Sequence, residues 1–131
     1  MPHNNLIDTA SLATELTTTL EANGIDAMFQ KLEDSLRHSC RWHSLFDAHL
    51  LRARAALGLP LVGPVVDADK VTKKKLDDKT IAACREVGWK LFDEGQIASG
   101  WMYLRAAVEP QEVADKLSQI ASQILEQEES V

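Results

Sequence analysis

The chain has 131 residues, of which 45% are hydrophobic and 26% are charged, the usual balance of a soluble globular domain. Its formal net charge of −6 disfavours nonspecific binding to nucleic acids and to anionic membranes. The longest nearly uncharged stretch, residues 55–66, is far shorter than the ~20 residues of a membrane-spanning helix. We therefore expect a single domain over residues 1–131 that binds neither nucleic acid nor membrane.

Two cysteines, Cys40 and Cys84, are too few for a disulfide framework. The first residues lack the basic start and the long apolar run of a signal peptide. We therefore expect a cytoplasmic protein.

Apolar residues recur at helical spacing through most of the chain, which predicts an all-α fold. Asn23-Gly24 ends the first helix, Asp26 is placed to cap the second, and a break is expected near Cys40. Pro60 prevents the third helix from continuing. The sequence thus predicts about six helices, in a bundle or a short array of antiparallel pairs, over residues 5–22, 26–39, 42–57, 78–94, 96–108 and 110–128.

Residues 59–76 form the longest stretch that we expect to be irregular. Its first part is apolar around Pro60 and Pro64, and we expect it to lie over the core. Its last part mixes lysines with aspartates, which is typical of a solvated loop.

The segment from Cys84 to Pro110 has the spacing of a tight helical hairpin. Gly88 and Gly100 are small enough to let two helix backbones approach closely. Gly95 is suited to the turn between them, because glycine accepts the left-handed conformation that ends a helix. Pro110 suits the first turn of the next helix.

This hairpin resembles a tetratricopeptide repeat at Cys84, Val87, Gly88, Leu91, Gly100, Leu104, Ala107 and Pro110. Only Gly88, Ala107 and Pro110 match the family in identity, and the proline arrives two residues early. The resemblance covers residues of about 80–110 and implies a concave face that binds a peptide or a partner helix. An ordinary antiparallel helix pair needs the same small residues, so a plain helical bundle remains the alternative.

The chain also has a weaker resemblance, over residues 45–60 and 83–88, to the N-terminal helical region of longer, uncharacterised bacterial proteins. It implies no activity. It does imply that the chain is one piece of a larger protein.

The fourth predicted helix has a second apolar face beside the one that packs in the hairpin. The tetratricopeptide resemblance assigns that face to the binding groove, with the candidate contacts Ala82, Arg85, Trp89, Phe92 and Asp93. Trp and Arg are the residue types most enriched at binding hot spots. The alternative is that the N-terminal helices bury this helix on both sides.

Candidate catalytic chemistry is sparse. His43 and Asp47 are four residues apart and share a helix face, so both could reach a metal ion. No Cys-x-x-Cys or His-Glu-x-x-His motif completes a site. Cys40 is close in sequence to arginines and histidines, a setting that could lower its thiol pKa. We predict no catalytic residue, bound metal or cofactor.

Three functions remain open. The first is a non-catalytic protein-interaction domain, a scaffold or adaptor, that binds a peptide or a partner helix. The second is a structural or self-associating domain that forms a homodimer or the N-terminal part of a larger protein. The third is a metal-dependent enzyme that uses His43 and Asp47.

Overall fold

The computed structural model describes residues 8–129, without the side chains of residues 124 and 127–129. This part of the chain contains helices and no strand, which confirms the predicted all-α fold. Residues 5–7 of the predicted first helix lie outside the described residues. The helices are α1 (Thr9–Asn23), α2 (Ile25–His38), α3 (Trp42–Ala56), α4 (Lys70–Asp93), α5 (Ile97–Leu104) and α6 (Pro110–Glu129).

The lysine-rich segment is the beginning of α4 and not a loop. Asp69 caps this helix, because its carboxylate accepts a hydrogen bond of 2.7 Å from the backbone N–H of Thr72. Lys74 and Asp78, one turn apart, form an ion pair of 3.2 Å. The loop prediction was wrong because mixed charges also suit a solvent-facing helix, and most side chains of this segment are exposed.

α2 begins one residue earlier than predicted, at Ile25. Asp26 therefore lies in the first turn of α2, and the N-cap residue is Gly24. The carboxylate of Asp26 is instead held by Arg52 of α3.

Two tight turns place consecutive helices against each other. Cys40, between α2 and α3, has a φ of 56°, and Gly95, between α4 and α5, has a φ of 82°. The backbone N–H groups of Arg41 and Gln96 each bond at 2.9 Å to a carbonyl in the last turn of the preceding helix. These are Schellman-type helix ends. The predicted break near Cys40 and the predicted turn at Gly95 are both confirmed.

α5 ends at Leu104, short of the predicted end at residue 108. The N–H of Ala107 bonds to the Leu104 carbonyl at 2.8 Å, which begins a turn toward α6. Arg85 donates a hydrogen bond of 3.2 Å to the Ala107 carbonyl. Pro110 starts α6 as predicted, and a proline disfavours helix in the residue before it.

The apolar linker between α3 and α4 does not lie over the core, contrary to expectation. Val62 and Val66 are 80% and 67% exposed. α3 packs directly on α4, and this contact buries apolar residues of both helices without the linker. Arg54 holds the linker through hydrogen bonds of 3.0 and 2.7 Å to the carbonyls of Pro60 and Gly63.

The helices from α1 to α5 pack mainly on their neighbours in sequence, and two buried clusters meet at α4. One joins α4 to α2 and α3, and contains Leu36, Trp42, Leu45, Ala48, Val87 and Leu91. The other joins α4 to α5 and α6, and contains Phe92, Leu104 and Val113. α4 is therefore the central helix, with different neighbours on its two sides.

α4 and α5 cross at Gly88 and Gly100. A Cβ atom added at Gly88 would lie 2.7 Å from Cδ2 of Leu104, and one added at Gly100 would lie 2.8 Å from the Gly88 carbonyl oxygen and would also meet the Phe92 ring. Residue 88 thus meets residue 104 while residue 92 meets residue 100, so the two helices are antiparallel. The small residues permit the close crossing, as their spacing predicts.

We expect Gly88→Ala to lower the free energy of unfolding by about 1–3 kcal/mol, because the new methyl group overpacks against Leu104. Helix propensity alone predicts the opposite, a gain of up to about 1 kcal/mol. Urea denaturation measures the difference. Ala82→Gly, at an exposed position of α4, is the control for propensity. A more stable Gly88→Ala protein would rule out the close crossing.

Candidate functional site

The five residues predicted to form a groove have different surroundings along α4. Phe92 is 1% exposed and belongs to the core between α4, α5 and α6. Ala82 is exposed and faces a cleft toward α3. Arg85, Trp89 and Asp93 lie along the side that α6 approaches. The helix that covers this side is therefore α6, and not the N-terminal helices.

Two ion pairs fasten α6 to α4. Arg85 Nη2 bonds to Glu112 Oε2 at 3.1 Å, and Lys116 Nζ lies 2.7 Å from Asp93 Oδ1. Because residue 85 meets residue 112 and residue 93 meets residue 116, α6 runs in the same general direction as α4. Val113, 8% exposed, lies between the two pairs and packs into the core.

Trp89 is half-buried at this helix–helix contact. Its ring meets that of Phe92 edge to face, with the ring centroids 5.5 Å apart. On its outer side lies a shallow depression of about 280 Å³, lined by Trp89, Glu112, Asp115, Lys116 and Gln119. α6 therefore leaves part of this aromatic surface accessible.

The proposed metal pair of His43 and Asp47 has no third ligand nearby. In residues 8–129, no group of three or more His, Cys, Asp or Glu side chains could hold a metal ion. His43 Nδ1 lies 2.6 Å from the hydroxyl oxygen of Tyr103, so the imidazole already has a hydrogen-bond partner.

Neither cysteine has the lowered pKa of a reactive thiol. Burial raises the pKa of Cys40, and the nearby Glu94 carboxylate raises it further. Burial also raises the pKa of Cys84. The basic residues near Cys40 in sequence therefore do not lower its pKa, because burial and then the carboxylate of Glu94, distant in sequence, act in the opposite direction.

α2, α3 and α4 share an ion cluster that the sequence analysis did not find. We use this name for Asp26, Glu33, Arg37, His49, Arg52 and Glu86. One sequence signal was present: Glu33 occupies the same helix face as Phe29 and Leu36, at i+4 and i+7, so a charged residue interrupts the apolar stripe of α2.

Glu33 is at the centre of the ion cluster and is 2% exposed. Its Oε1 accepts a hydrogen bond of 2.9 Å from Arg52 Nη1 and lies 3.8 Å from Arg37 Nη2. Its Oε2 is 3.3 Å from His49 Nδ1, yet it has no hydrogen-bond partner among the described residues. Burying a carboxylate is costly unless it is paired, which explains why basic groups surround it.

The outer members of the ion cluster are bidentate pairs. Arg52 donates from Nε and Nη2 to both oxygens of Asp26, at 2.9 and 3.0 Å. Arg37 donates in the same way to Glu86, at 2.7 and 3.0 Å. His49 Nε2 is 2.8 Å from Glu86 Oε1. Such forked pairs fix both distance and orientation, so they set the register of α2 against α3 and α4.

These contacts keep the outer carboxylates ionised. The hydrogen bond from Arg37 is the main cause of the lowered pKa of Glu86, and the hydrogen bond from Arg52 is the main cause of the lowered pKa of Asp26. The same pairs raise the pKa of both arginines. All four groups are therefore charged at neutral pH.

A cleft of about 510 Å³ opens between α2, α3 and α4. We call it the α3–α4 cleft. Its apolar lining consists of small residues, Ala53, Ala56, Ala82 and Ala83. Its polar lining comes mainly from the ion cluster and includes Asp26, Glu33, Lys79, His49, Arg52 and Glu86.

Comparison of the chain with protein-family models, with curated proteins and with solved structures gives no match. Within the described residues, no helix has both the length and the apolar character that crossing a membrane requires.

We expect Glu86→Gln to destabilise the protein near neutral pH by about 1 kcal/mol, since solvent partly screens a side chain that is 28% exposed. The folded pKa of Glu86 is lowered, so its carboxylate contributes stability above the ordinary value of 4.5, and this contribution is lost as the pH falls through the folded pKa. Urea denaturation of both proteins should therefore give a difference that shrinks below about pH 4.

Asp78→Asn is the control for this experiment, because exposed Asp78 pairs only one turn away with Lys74. Its effect should stay within about 0.5 kcal/mol. A difference for Glu86→Gln that does not change with pH would show that the Arg37–Glu86 pair does not stabilise the fold electrostatically.

Proposed function

We propose that this chain is a non-catalytic protein-interaction domain, a scaffold or adaptor, that binds an amphipathic helix of a partner protein. The binding surface is the side of α4 that carries Arg85, Trp89 and Asp93. The observation that carries the proposal is the seating of α6 on this surface, since a surface that holds one amphipathic helix has the shape and charge to hold another.

The contacts that α6 makes with this surface indicate which side chains a partner helix needs. An acidic residue pairs with Arg85, the apolar residue next to it enters the core beside Phe92, and a lysine three residues later pairs with Asp93. In α6 these residues are Glu112, Val113 and Lys116. A partner helix with the same order of acid, apolar residue and base satisfies both charges of α4.

α6 is held weakly enough to be exchanged. Among its described side chains, only Val113 is buried, and Leu117 and Leu125 are 39% and 58% exposed. A helix attached to the same chain has an effective concentration in the millimolar range, so modest contacts suffice to keep it in place. A partner helix that covers Trp89 more completely can compete with it.

The tetratricopeptide resemblance supports the same surface. It assigns Arg85, Trp89 and Asp93 to a groove, and the antiparallel pair of α4 and α5 is followed by a helix that runs with α4. That order of helix directions is the one expected of consecutive repeats.

Self-association is a second candidate, favoured by the outer side of α5. Trp101 and Met102 are 42% and 70% exposed there, on the side of α5 that faces away from α4. An exposed aromatic residue beside an exposed methionine suits a protein contact. A second copy of the chain that meets this side would form a homodimer.

The groove is tested with a labelled peptide that has the sequence of residues 110–129, added to the full chain. Val113→Ala should loosen α6 by about 1.5 kcal/mol, roughly tenfold, and so should raise the affinity for the peptide. In that background, Trp89→Ala should abolish binding while costing less than the ~3–5 kcal/mol of a core aromatic deletion, because Trp89 is half-buried. Fluorescence anisotropy measures binding and urea denaturation measures stability.

A matched pair of variants, Arg85→Ala and Arg105→Ala, is compared in the Val113→Ala protein. Arg85 pairs with Glu112, whereas Arg105 is exposed at the end of α5. We expect only Arg85→Ala to weaken binding. No binding to the Val113→Ala protein, or equal losses for the two arginine variants, would count against the groove.

Self-association is tested by sedimentation velocity over a range of concentrations. If the outer side of α5 forms a dimer, Met102→Glu should shift the protein toward the monomer, since the interface would bury the new charge. Leu125→Glu, at an exposed position of α6, is the control. A monomer at the highest concentration would exclude this second candidate.

A further inference from the structure

We propose that the α3–α4 cleft binds a primary ammonium group carried on a short alkyl chain, with Glu33 as the group that receives it. The α4 residues of this site lie on a face that neighbours the proposed helix-binding groove. The site does not depend on that function.

The first observation is an unused hydrogen-bond acceptor deep in the protein. Glu33 is 2% exposed, and its Oε2, which lies 3.3 Å from His49 Nδ1, has no hydrogen-bond partner among the described residues. Buried polar atoms are nearly always satisfied, so an unsatisfied one needs a reason. Glu33 also borders the α3–α4 cleft, so a small movement of its side chain would bring this buried carboxylate to a ligand in the cleft.

The second observation is that both arginines of the ion cluster already pair with carboxylates. Arg52 serves both oxygens of Asp26 as well as Glu33, and Arg37 serves both oxygens of Glu86. An anionic ligand that paired with either arginine would have to break these forked pairs. Glu33 Oε2 can still accept a hydrogen bond. An ionised carboxylate bonds most strongly to a charged donor.

The third observation is the shape and lining of the cleft. Its volume of about 510 Å³ is far above the ~30 Å³ that a water molecule occupies in the liquid, so it admits a group of side-chain size. The four alanines of its wall provide apolar contact for methylene groups. The alkyl chain would therefore contact the alanines, and the ammonium group would contact Glu33.

Two sources supply this chemistry, a free small amine and a lysine side chain of a partner protein. Both place an ammonium group on an alkyl chain against Glu33. The probes that separate them are n-butylammonium and the blocked tripeptide acetyl-Gly-Lys-Gly-amide.

The test is NMR titration of the full, isotope-labelled chain with each probe, with n-butanol as the uncharged match for n-butylammonium. We expect n-butylammonium or the tripeptide to shift the backbone resonances of Glu33, His49 and Ala83, and n-butanol to shift them much less. Binding of n-butylammonium alone indicates a free amine, and tighter binding of the tripeptide indicates a lysine side chain. Either result supports the site.

Three variants identify the site. Glu33→Gln keeps the shape of the side chain but removes its charge, and should weaken binding about tenfold or more. Ala56→Leu narrows the cleft at an exposed position without touching the ion cluster, and should also abolish binding. Lys79→Gln removes a cation from the cleft lining and should tighten ammonium binding by up to about fivefold.

Ala13→Leu, at an exposed position of α1, is the matched control for Ala56→Leu and should bind as the unchanged protein does. If Glu33→Gln fails to fold, Ala56→Leu and Lys79→Gln still decide the question. The proposal is overturned if neither ammonium probe binds, if n-butanol binds as well as n-butylammonium, or if binding survives Ala56→Leu unchanged.

Discussion

The burial of Glu33 is the constraint on which the arrangement of α2, α3 and α4 depends. An unpaired carboxylate that is 2% exposed would cost several kcal/mol, so basic groups must lie beside it. Arg52 and His49 reach it from α3, and Arg37 from α2. Arg52 also pairs with Asp26, and Arg37 and His49 both pair with Glu86. The forked pairs that result fix how the three helices lie against one another, which apolar packing alone specifies less strictly.

α4 connects this polar arrangement to an apolar one. On one side it contributes Glu86 to the ion cluster, and on the other it contributes Phe92 to the core beneath α5 and α6. Gly88 allows α5 to approach α4 closely, and Lys116 of α6 pairs with Asp93 at the end of α4. The proposed helix-binding groove and the proposed ammonium-binding cleft therefore lie on neighbouring faces of one helix. A ligand on either side contacts the element that carries both buried clusters.

The sequence predicted the helices well where a local signal marked their ends. Gly95 and Cys40 mark tight turns, and Pro110 marks the start of α6. Prediction failed where charge composition was taken as the sign of a loop, because the first turns of α4 are solvent-facing helix capped by Asp69. Of the candidate binding residues, the helical spacing placed Arg85, Trp89 and Asp93 along one side. It did not show that Phe92 is core or that Ala82 faces another cleft.

By itself, then, the sequence determined the all-α fold, the main turns and the small residues at which α4 and α5 cross, because these depend on residues within a few positions of one another. Only the tertiary structure decided the ion cluster, the covering of α4 by α6 and the α3–α4 cleft. The pairs that build the cluster join residues far apart in the chain, 26 positions for Asp26 with Arg52 and 49 for Arg37 with Glu86. Periodicity reports which face of a helix is apolar, whereas the partner of a charged residue on that face depends on how distant helices pack.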